Sequence, residues 1–143
     1  MKRDPNARLE DRLGPREPPY RSRGESQVGR LLERYGIPFC YEHPLVVYSG
    51  GRYRSWHPDF TLPTYGDLIV EYAGMPDRAD YMIGLRYKQR VYALNHVAAV
   101  FIYPQDVTGP SWPERLASRI HDAGVRNLAR QSRHAYSRSR SYR

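Results

Sequence analysis

The spacing of apolar residues changes along the chain, and these changes predict its helices. Four apolar residues recur at helical spacing: Val28, Leu31, Leu32 and Tyr35. They predict a first helix that begins near Glu25 and ends at Gly36, since glycine is common just past a helix end. A second helix is expected over residues 77–94, and a third from Ser111, a good N-cap residue, to about Ala123.

Between the helices the apolar residues form short runs that are typical of strands. The expected extended segments are residues 38–42, 45–48, 53–62, 68–72 and 97–103. Ser49-Gly50-Gly51 is a turn signal, so 53–62 is expected to return as the hairpin partner of 45–48. The expected order of helix, three strands, helix, strand and helix favours a mixed α/β (α+β) sandwich.

The two ends of the chain are polar and differ from the middle. Residues 1–21 are charged and proline-rich and are expected to form a flexible arm. Residues 126–143 are rich in arginine, serine and tyrosine and are expected to be disordered. A single domain is therefore expected over residues 22–125.

The formal net charge is +8, from 23 basic and 15 acidic residues, and it favours a polyanionic partner such as nucleic acid. Ribosomal proteins and simple adaptors share such a charge, so it does not select an activity. Lys2 and Lys88 are the only lysines, which draws attention to the one in the middle of the chain.

The single cysteine, Cys40, excludes an internal disulfide and a cysteine-rich zinc site, and its apolar neighbours predict a buried thiol. The first residues carry no apolar signal-peptide segment, and the longest apolar run, 97–103, is too short to cross a bilayer. A soluble cytoplasmic protein with no membrane partner is expected.

Two acidic residues interrupt apolar strands. Asp59 precedes Phe60-Thr61-Leu62, and Glu71 follows Leu68-Ile69-Val70. Acids are rare within buried strands unless they are paired or bind a metal, and Mg²⁺ relieves the repulsion between neighbouring carboxylates. The alternative is that both acids lie at strand ends and face solvent or nearby arginines.

These residues also carry a family resemblance. Trp56-His57-Pro58-Asp59-Phe60, followed by Ile69-Val70-Glu71-Tyr72-Ala73-Gly74, resembles the PD-(D/E)xK nuclease superfamily, in the branch with the pattern HPDF…EyxG…Y…K. Arg23-Gly24-Glu25 is similar to the first helix of that branch, whose glutamate faces the metal site. The resemblance covers about residues 22–104. It implies a restriction-endonuclease-like αβββαβ core, with a central mixed sheet flanked by helices.

One position departs from the superfamily pattern, in which a lysine stands two residues after the second acid. Ala73 occupies that position here. In the branch named above the following helix supplies the lysine, and Lys88 stands at that place. Tyr81, Leu85 and Lys88 share one helical face, so Lys88 is expected to reach back toward Glu71. The alternative is an ordinary surface lysine.

The resemblance implies a Mg²⁺-dependent endodeoxyribonuclease that hydrolyses DNA with a Mg²⁺-bound water as nucleophile. Asp59 and Glu71, with Glu25 directly or through water, are expected to hold one or two Mg²⁺ ions, for which Mn²⁺ can substitute. Lys88 is expected to orient the water or neutralise the phosphate. The expected catalytic residues are therefore Glu25, Asp59, Glu71 and Lys88.

Other interpretations stay open from the sequence. A catalytically inactive nucleic-acid-binding module on the same fold is the main alternative, and an RNA enzyme lacks support because no aromatic platform for single strands is evident in the core. His57 is expected only to pack or hydrogen-bond. Arg52 and Arg54 are either phosphate contacts or part of a solvated basic face. Sequence specificity is expected to be low or to be supplied by a partner subunit, and a homodimer would suit cleavage of both DNA strands.

Overall fold

The structure, a computed structural model, describes residues 20–141, with side chains through residue 138. Nine regular elements follow one another in this part of the chain: α1 (Arg23–Arg34), β1 (Cys40–Tyr41), β2 (Leu45–Ser49), β3 (Arg52–Trp56), β4 (Phe60–Leu62), β5 (Leu68–Tyr72), α2 (Ala79–Leu94), β6 (Ala99–Ile102) and α3 (Trp112–Ser141). Short 3₁₀ turns cover Pro63–Tyr65 and Pro104–Val107.

Four of the strands form one mixed sheet in the order β1-β4-β5-β6. The β1–β4 and β4–β5 pairs are antiparallel, whereas β5 and β6 are parallel and are connected through α2. The protein is therefore a mixed α/β fold, as expected from the order of apolar patterns.

The β2–β3 hairpin forms a second, two-stranded sheet. Gly50 and Gly51 make its turn with φ angles of 62° and 80°, values that glycine adopts without strain. The prediction of one continuous strand over residues 53–62 is wrong. The chain leaves the hairpin after Trp56 and enters the main sheet at Phe60, and Pro58 between them has no N–H to donate to a strand ladder.

Two apolar clusters cover opposite faces of the sheet, because successive side chains of a strand point to opposite sides. On one face α1 and α3 pack against the side chains of β4, β5 and β6, among them Phe60, Val70 and Ile102. On the other face α2 and the hairpin pack through Tyr92 and Trp56 against Ile69. The second face carries Glu71.

The start of α1 is fixed by its cap and by a close approach to β5. The Ser22 hydroxyl accepts a hydrogen bond from the Glu25 backbone N–H, which satisfies one of the free donors of the first turn. A Cβ atom at position 24 would overlap the ring of Tyr72, so glycine lets the helix approach the end of β5. Both features place Glu25 beside the sheet.

Helix α3 continues well past its expected end at about Ala123. Asn127 is buried and donates to the carbonyl oxygens of Tyr65 and Gly66 at 2.9 and 3.0 Å, and Gln131 donates to Gly66 at 2.8 Å. These contacts attach the helix to the turn before β5. The expected disordered tail from Arg126 therefore differs from the structure, which has residues 126–141 in a helix.

Three further expectations concern the chain ends, the cysteine and the membrane. The expected arm over residues 1–21 lies outside the described residues except for Tyr20 and Arg21. Cys40 is exposed, so the prediction of a buried thiol is wrong; Cys40 lies on the outward face of β1, between the partly buried Phe39 and Tyr41. No helix within residues 20–141 combines the length and hydrophobicity that a membrane crossing requires.

Candidate active site

Glu71 lies at the centre of the site, on β5, with only 4 % of its surface exposed. Its Oε2 atom is 2.7 Å from Lys88 Nζ. Its Oε1 atom accepts hydrogen bonds from the Asp59 backbone N–H at 3.0 Å and from the Tyr92 hydroxyl at 3.3 Å. A buried carboxylate is costly unless its oxygens are paired, and here both oxygens have partners.

Asp59 lies in the short link between β3 and β4, directly before Phe60. Its Oδ2 atom accepts a hydrogen bond from the Tyr72 backbone N–H at 2.8 Å. A second hydrogen bond, from the Asp59 backbone N–H to Glu71 Oε1, joins the two acidic residues directly. Twelve residues apart in sequence, they are neighbours in space.

The electrostatic environment of Asp59 is unfavourable for a negative charge. Burial raises the pKa of the Asp59 carboxyl to about 7, and the charges of Glu71 and Glu25 add to the increase. The Tyr72 N–H and the Lys88 ammonium act in the opposite direction and lower the pKa. Asp59 therefore binds a proton more readily here than in water, whereas a bound cation would stabilise its charged form.

Glu25 reaches the same region from the first turn of α1. It is 7 % exposed, and its Oε1 atom accepts a hydrogen bond from the Tyr41 hydroxyl at 2.9 Å. Tyr41 pairs with Phe60 in the β1–β4 register, next to Asp59. Glu25 is thus held beside the two central acids, close enough for its charge to raise the pKa of Asp59.

Lys88 approaches Glu71 from α2, as expected from the shared face of that helix. Its side chain is 41 % exposed, so the ammonium group lies between the buried carboxylate and solvent. A cavity of about 300 Å³ opens at this point. The residues that line it are Ser55, Trp56, His57, Pro58, Lys88 and Tyr92. Two of these lining residues, Lys88 and Tyr92, contact Glu71, so the cavity lies beside the partners of the carboxylate.

The donor chemistry of the site fits a hard divalent cation. Among the described residues, none donates a hydrogen bond to Asp59 Oδ1 or to Glu25 Oε2, so each of these two acids keeps an oxygen that can bind a cation. The arrangement is nevertheless not a ready-made cage. Within residues 20–141, no group of three or more His, Cys, Asp or Glu side chains is positioned to hold a metal. One or two carboxylates are enough to bind Mg²⁺, because this ion keeps several of its water ligands.

Sequence reasoning missed two tyrosines that position the acids, Tyr92 and Tyr41. Tyr92 stands four residues after Lys88, on the same face of α2, and this spacing was a usable signal. Burial, followed by the charge of Glu71, raises the pKa of Tyr92, so its hydroxyl stays protonated and donates. Tyr41 carried no comparable signal, because its contact with Glu25 depends on how β1 pairs with β4.

His57 lies at the rim of the site and does not contact its carboxylates. Its Nδ1 atom is 3.2 Å from the carbonyl oxygen of Glu42. Glu42 has a left-handed backbone, with a φ of 53°, and its side chain forms an ion pair with Arg21 at 2.7 Å. His57 therefore makes a hydrogen bond, as expected, and Glu42 contributes through its backbone rather than as a ligand.

Comparisons of the chain with known proteins give no guide to the function of the site. No protein-family model matches the chain, and neither the curated proteins nor the solved structures include one with significant similarity to it. Any functional assignment therefore depends on the geometry and chemistry of the chain itself.

Proposed function

We propose that this protein is a metal-dependent endonuclease that hydrolyses phosphodiester bonds of DNA, related to the PD-(D/E)xK nucleases. One observation carries the proposal: the Asp59 backbone N–H donates a hydrogen bond to the Glu71 carboxylate at 3.0 Å, and Lys88 Nζ lies 2.7 Å from the same carboxylate. Glu71 is buried and Asp59 is half-buried, and two such acids beside a partly exposed ammonium group suit a site that binds a cation and a phosphate together.

The order of elements supports the same assignment. With the β2–β3 hairpin set aside, the chain runs through α1, the antiparallel strands β1, β4 and β5, helix α2 and the parallel strand β6. This is the αβββαβ order expected of a restriction-endonuclease-like core. In this order Asp59 precedes the second strand and Glu71 lies on the third.

Each residue of the site has a definable task. Asp59 and Glu71, with Glu25, would hold Mg²⁺ or Mn²⁺, which when bound supplies Lewis-acid stabilisation of the phosphate and acidifies water. Tyr92 and the Asp59 backbone N–H fix the Glu71 carboxylate. Lys88 neutralises the phosphate or orients the attacking water, and its partial exposure lets it meet a substrate that enters from the cavity.

The test is cleavage of DNA by the purified protein. We expect it to cut plasmid or branched DNA in the presence of Mg²⁺ or Mn²⁺ and to be inactive in EDTA. Asp59→Asn and Glu71→Gln should each lower the rate by at least about a hundredfold, because each removes a charged ligand while keeping the shape of the side chain. DNA binding, measured by fluorescence anisotropy, should change by less than about threefold.

The matched control is Asp122→Asn, which removes an exposed acid on α3 and should leave cleavage unchanged. Full cleavage by the Asp59→Asn protein would contradict the site assignment.

A catalytically inactive nucleic-acid-binding module is the second candidate, and two observations favour it. Lys88 already neutralises Glu71, and the part of the chain that the structure describes has no three-residue donor group for a metal. This candidate predicts DNA binding without cleavage in either metal. It also predicts that added Mg²⁺ does not change DNA binding, either by the unaltered protein or by Asp59→Asn.

A further inference from the structure

The outer face of the β2–β3 hairpin exposes a pair of tyrosines. Side chains alternate along β2: Val47 and Ser49 are buried toward α2, whereas Val46 and Tyr48 face outward, 66 % and 51 % exposed. Tyr53 lies directly opposite Tyr48 and is 77 % exposed, with the two ring centroids 5.2 Å apart. Directly paired residues share a face, so the two rings form one surface patch.

The hairpin that carries this patch is firmly attached to the rest of the fold. The Asn95 side chain accepts from the Tyr48 backbone N–H at 2.8 Å and donates to its carbonyl oxygen at 3.0 Å. The Ser49 hydroxyl contacts the Tyr87 hydroxyl, and Arg54 donates to the Ser49 carbonyl at 3.2 Å. The rings therefore project from a fixed backbone, and Asn95 covers the β2 edge where an added strand would pair.

The charge of the hairpin is complementary to nucleic acid. Residues 45–56 contain Arg52 and Arg54 and no acidic residue. The Arg52 side chain is exposed, and it makes no ion pair or hydrogen bond with the residues that the structure describes. A second copy of this face would bring like charges together, which disfavours self-association. Aromatic rings next to arginine are the combination that binds single-stranded nucleic acid, through base stacking and phosphate neutralisation.

The patch is also continuous with the candidate active site. Strand β3 runs from the hairpin turn to Ser55 and Trp56, which line the cavity beside Lys88. Tyr53 and Ser55 are two strand residues apart and therefore share the outward face, about 7 Å apart along the strand, a distance that a few nucleotides span. A DNA strand held on the hairpin would thus pass the cavity that Lys88 and Tyr92, the two side chains in contact with Glu71, also line.

We propose that Tyr48, Tyr53 and Arg52 bind unpaired bases, so that the preferred substrate is DNA with a single-stranded segment beside the bond to be cleaved. The substrate part of this inference rests on the proposed endonuclease activity. Bases within a duplex are stacked on each other and do not offer their faces to the tyrosines, whereas unpaired bases do. The hairpin therefore distinguishes substrates by strandedness, and the acidic site carries out the cleavage.

The binding test uses fluorescence anisotropy in EDTA with labelled oligo(dT) and a blunt duplex of the same length. Tyr53→Ala and Tyr48→Ala should each weaken oligo(dT) binding by about tenfold, whereas Tyr53→Phe should stay within about twofold because it keeps the stacking surface. Duplex binding should stay within about twofold for all three variants. Tyr35→Ala, which removes a 42 % exposed tyrosine at the end of α1, is the matched control and should bind both probes normally.

The outcomes separate this inference from its alternatives. Unchanged oligo(dT) binding by the double variant Tyr48→Ala/Tyr53→Ala would overturn it, and so would an equal loss of duplex and single-strand binding. Binding of oligo(U) without binding of oligo(dT) would overturn the assignment to DNA. A dimer in analytical ultracentrifugation that is lost in the double variant would identify the patch as a self-association surface and overturn the inference as well.

A cleavage readout separates this inference from the proposed function. With Mg²⁺, Tyr53→Ala should cut single-strand-tailed DNA about tenfold more slowly than the unaltered protein, whereas the control Tyr35→Ala should cut it at the unaltered rate. Equal cleavage of tailed DNA by Tyr53→Ala and the unaltered protein would overturn the substrate preference and leave the endonuclease proposal intact. Absence of all cleavage with the expected loss of oligo(dT) binding would overturn the activity and support the binding surface.

Discussion

The two faces of strand β5 differ in polarity, although both are buried. Leu68 and Val70 point toward α1 and α3 and are fully enclosed by aliphatic and aromatic side chains. One residue further, on the opposite face, Glu71 lies between Ile69 and Ala73, and its carboxylate is almost as completely buried. The same strand thus carries a dry core on one side and a charge on the other.

The difference shows what a buried charge requires of its surroundings. On the α2 face, an ammonium group, a hydroxyl group and a backbone N–H converge on Glu71, and a cavity leads from this face to solvent. On the α1 and α3 face no comparable donor surrounds Val70 among the residues of the core cluster. Side chains alternate along a strand, so a carboxylate moved by one residue, from position 71 to position 70, would lose all of these partners.

The largest effect is expected from placing a charge on the wrong face of β5. Val70→Glu should destabilise the fold by more than about 4 kcal/mol, because it buries a carboxylate without a partner. Circular dichroism and urea unfolding measure the loss. Val46→Glu, the same change at a 66 % exposed position of β2, is the control and should alter stability by less than about 0.5 kcal/mol. A folded, stable Val70→Glu protein would contradict the contrast between the two faces.

A smaller effect is expected from removing the cation on the acidic face. Lys88→Met should slow DNA cleavage by about a hundredfold and lower stability by about 2 kcal/mol, since Glu71 loses its ion-pair partner while staying buried. Lys88 is partly exposed, which keeps the stability loss below that of a fully buried pair.

A double variant separates the two roles of Lys88. Adding Glu71→Gln to Lys88→Met should restore most of the stability and none of the cleavage, because the amide needs no counter-charge. Arg90→Met, at an exposed position of the same helix, is the matched control for both measurements. Normal cleavage by Lys88→Met would exclude a role for this lysine in the reaction and leave it as a structural partner of Glu71.

The parts of the fold and site that were predictable depend on local patterns. The helical spacing in α1 placed Glu25 in a first turn, and the apolar run before Glu71 defined β5 within its observed bounds. The approach of Lys88 to Glu71 followed from one helical face of α2, because residues seven apart on a helix lie on the same side. These features need no knowledge of the rest of the chain.

The parts that were not predictable depend on contacts between distant segments. The sequence of residues 53–62 predicts one strand, because no pattern within this segment shows that β3 pairs with β2 and that β4 pairs with β5. The sequence after Arg126 predicts a disordered tail, because it is rich in arginine and serine. Its helical structure is instead associated with the hydrogen bonds of Asn127 and Gln131 to Gly66, which the sequence does not show. The pair formed by Tyr48 and Tyr53 likewise exists only once the hairpin register is known.

The smallest effect on stability, counted per pH unit, is expected from a change of pH. It tests the second acid of the site, Asp59, separately from Glu71. The pKa of Asp59 rises from an ordinary 3.8 to about 7 in the fold, so between these values the folded protein holds a proton that the unfolded chain has released. Stability in EDTA should therefore fall as the pH rises through this window, by about 1.4 kcal/mol for each pH unit. Below about pH 4 both states are protonated and the contribution is absent. Urea unfolding over this range, compared between the unaltered protein and Asp59→Asn, measures it, since the amide does not titrate and keeps the bond to the Tyr72 N–H. Parallel pH profiles for the two proteins would show that Asp59 is ionised without cost and that the acidic face does not accumulate the negative charge that a cation would relieve.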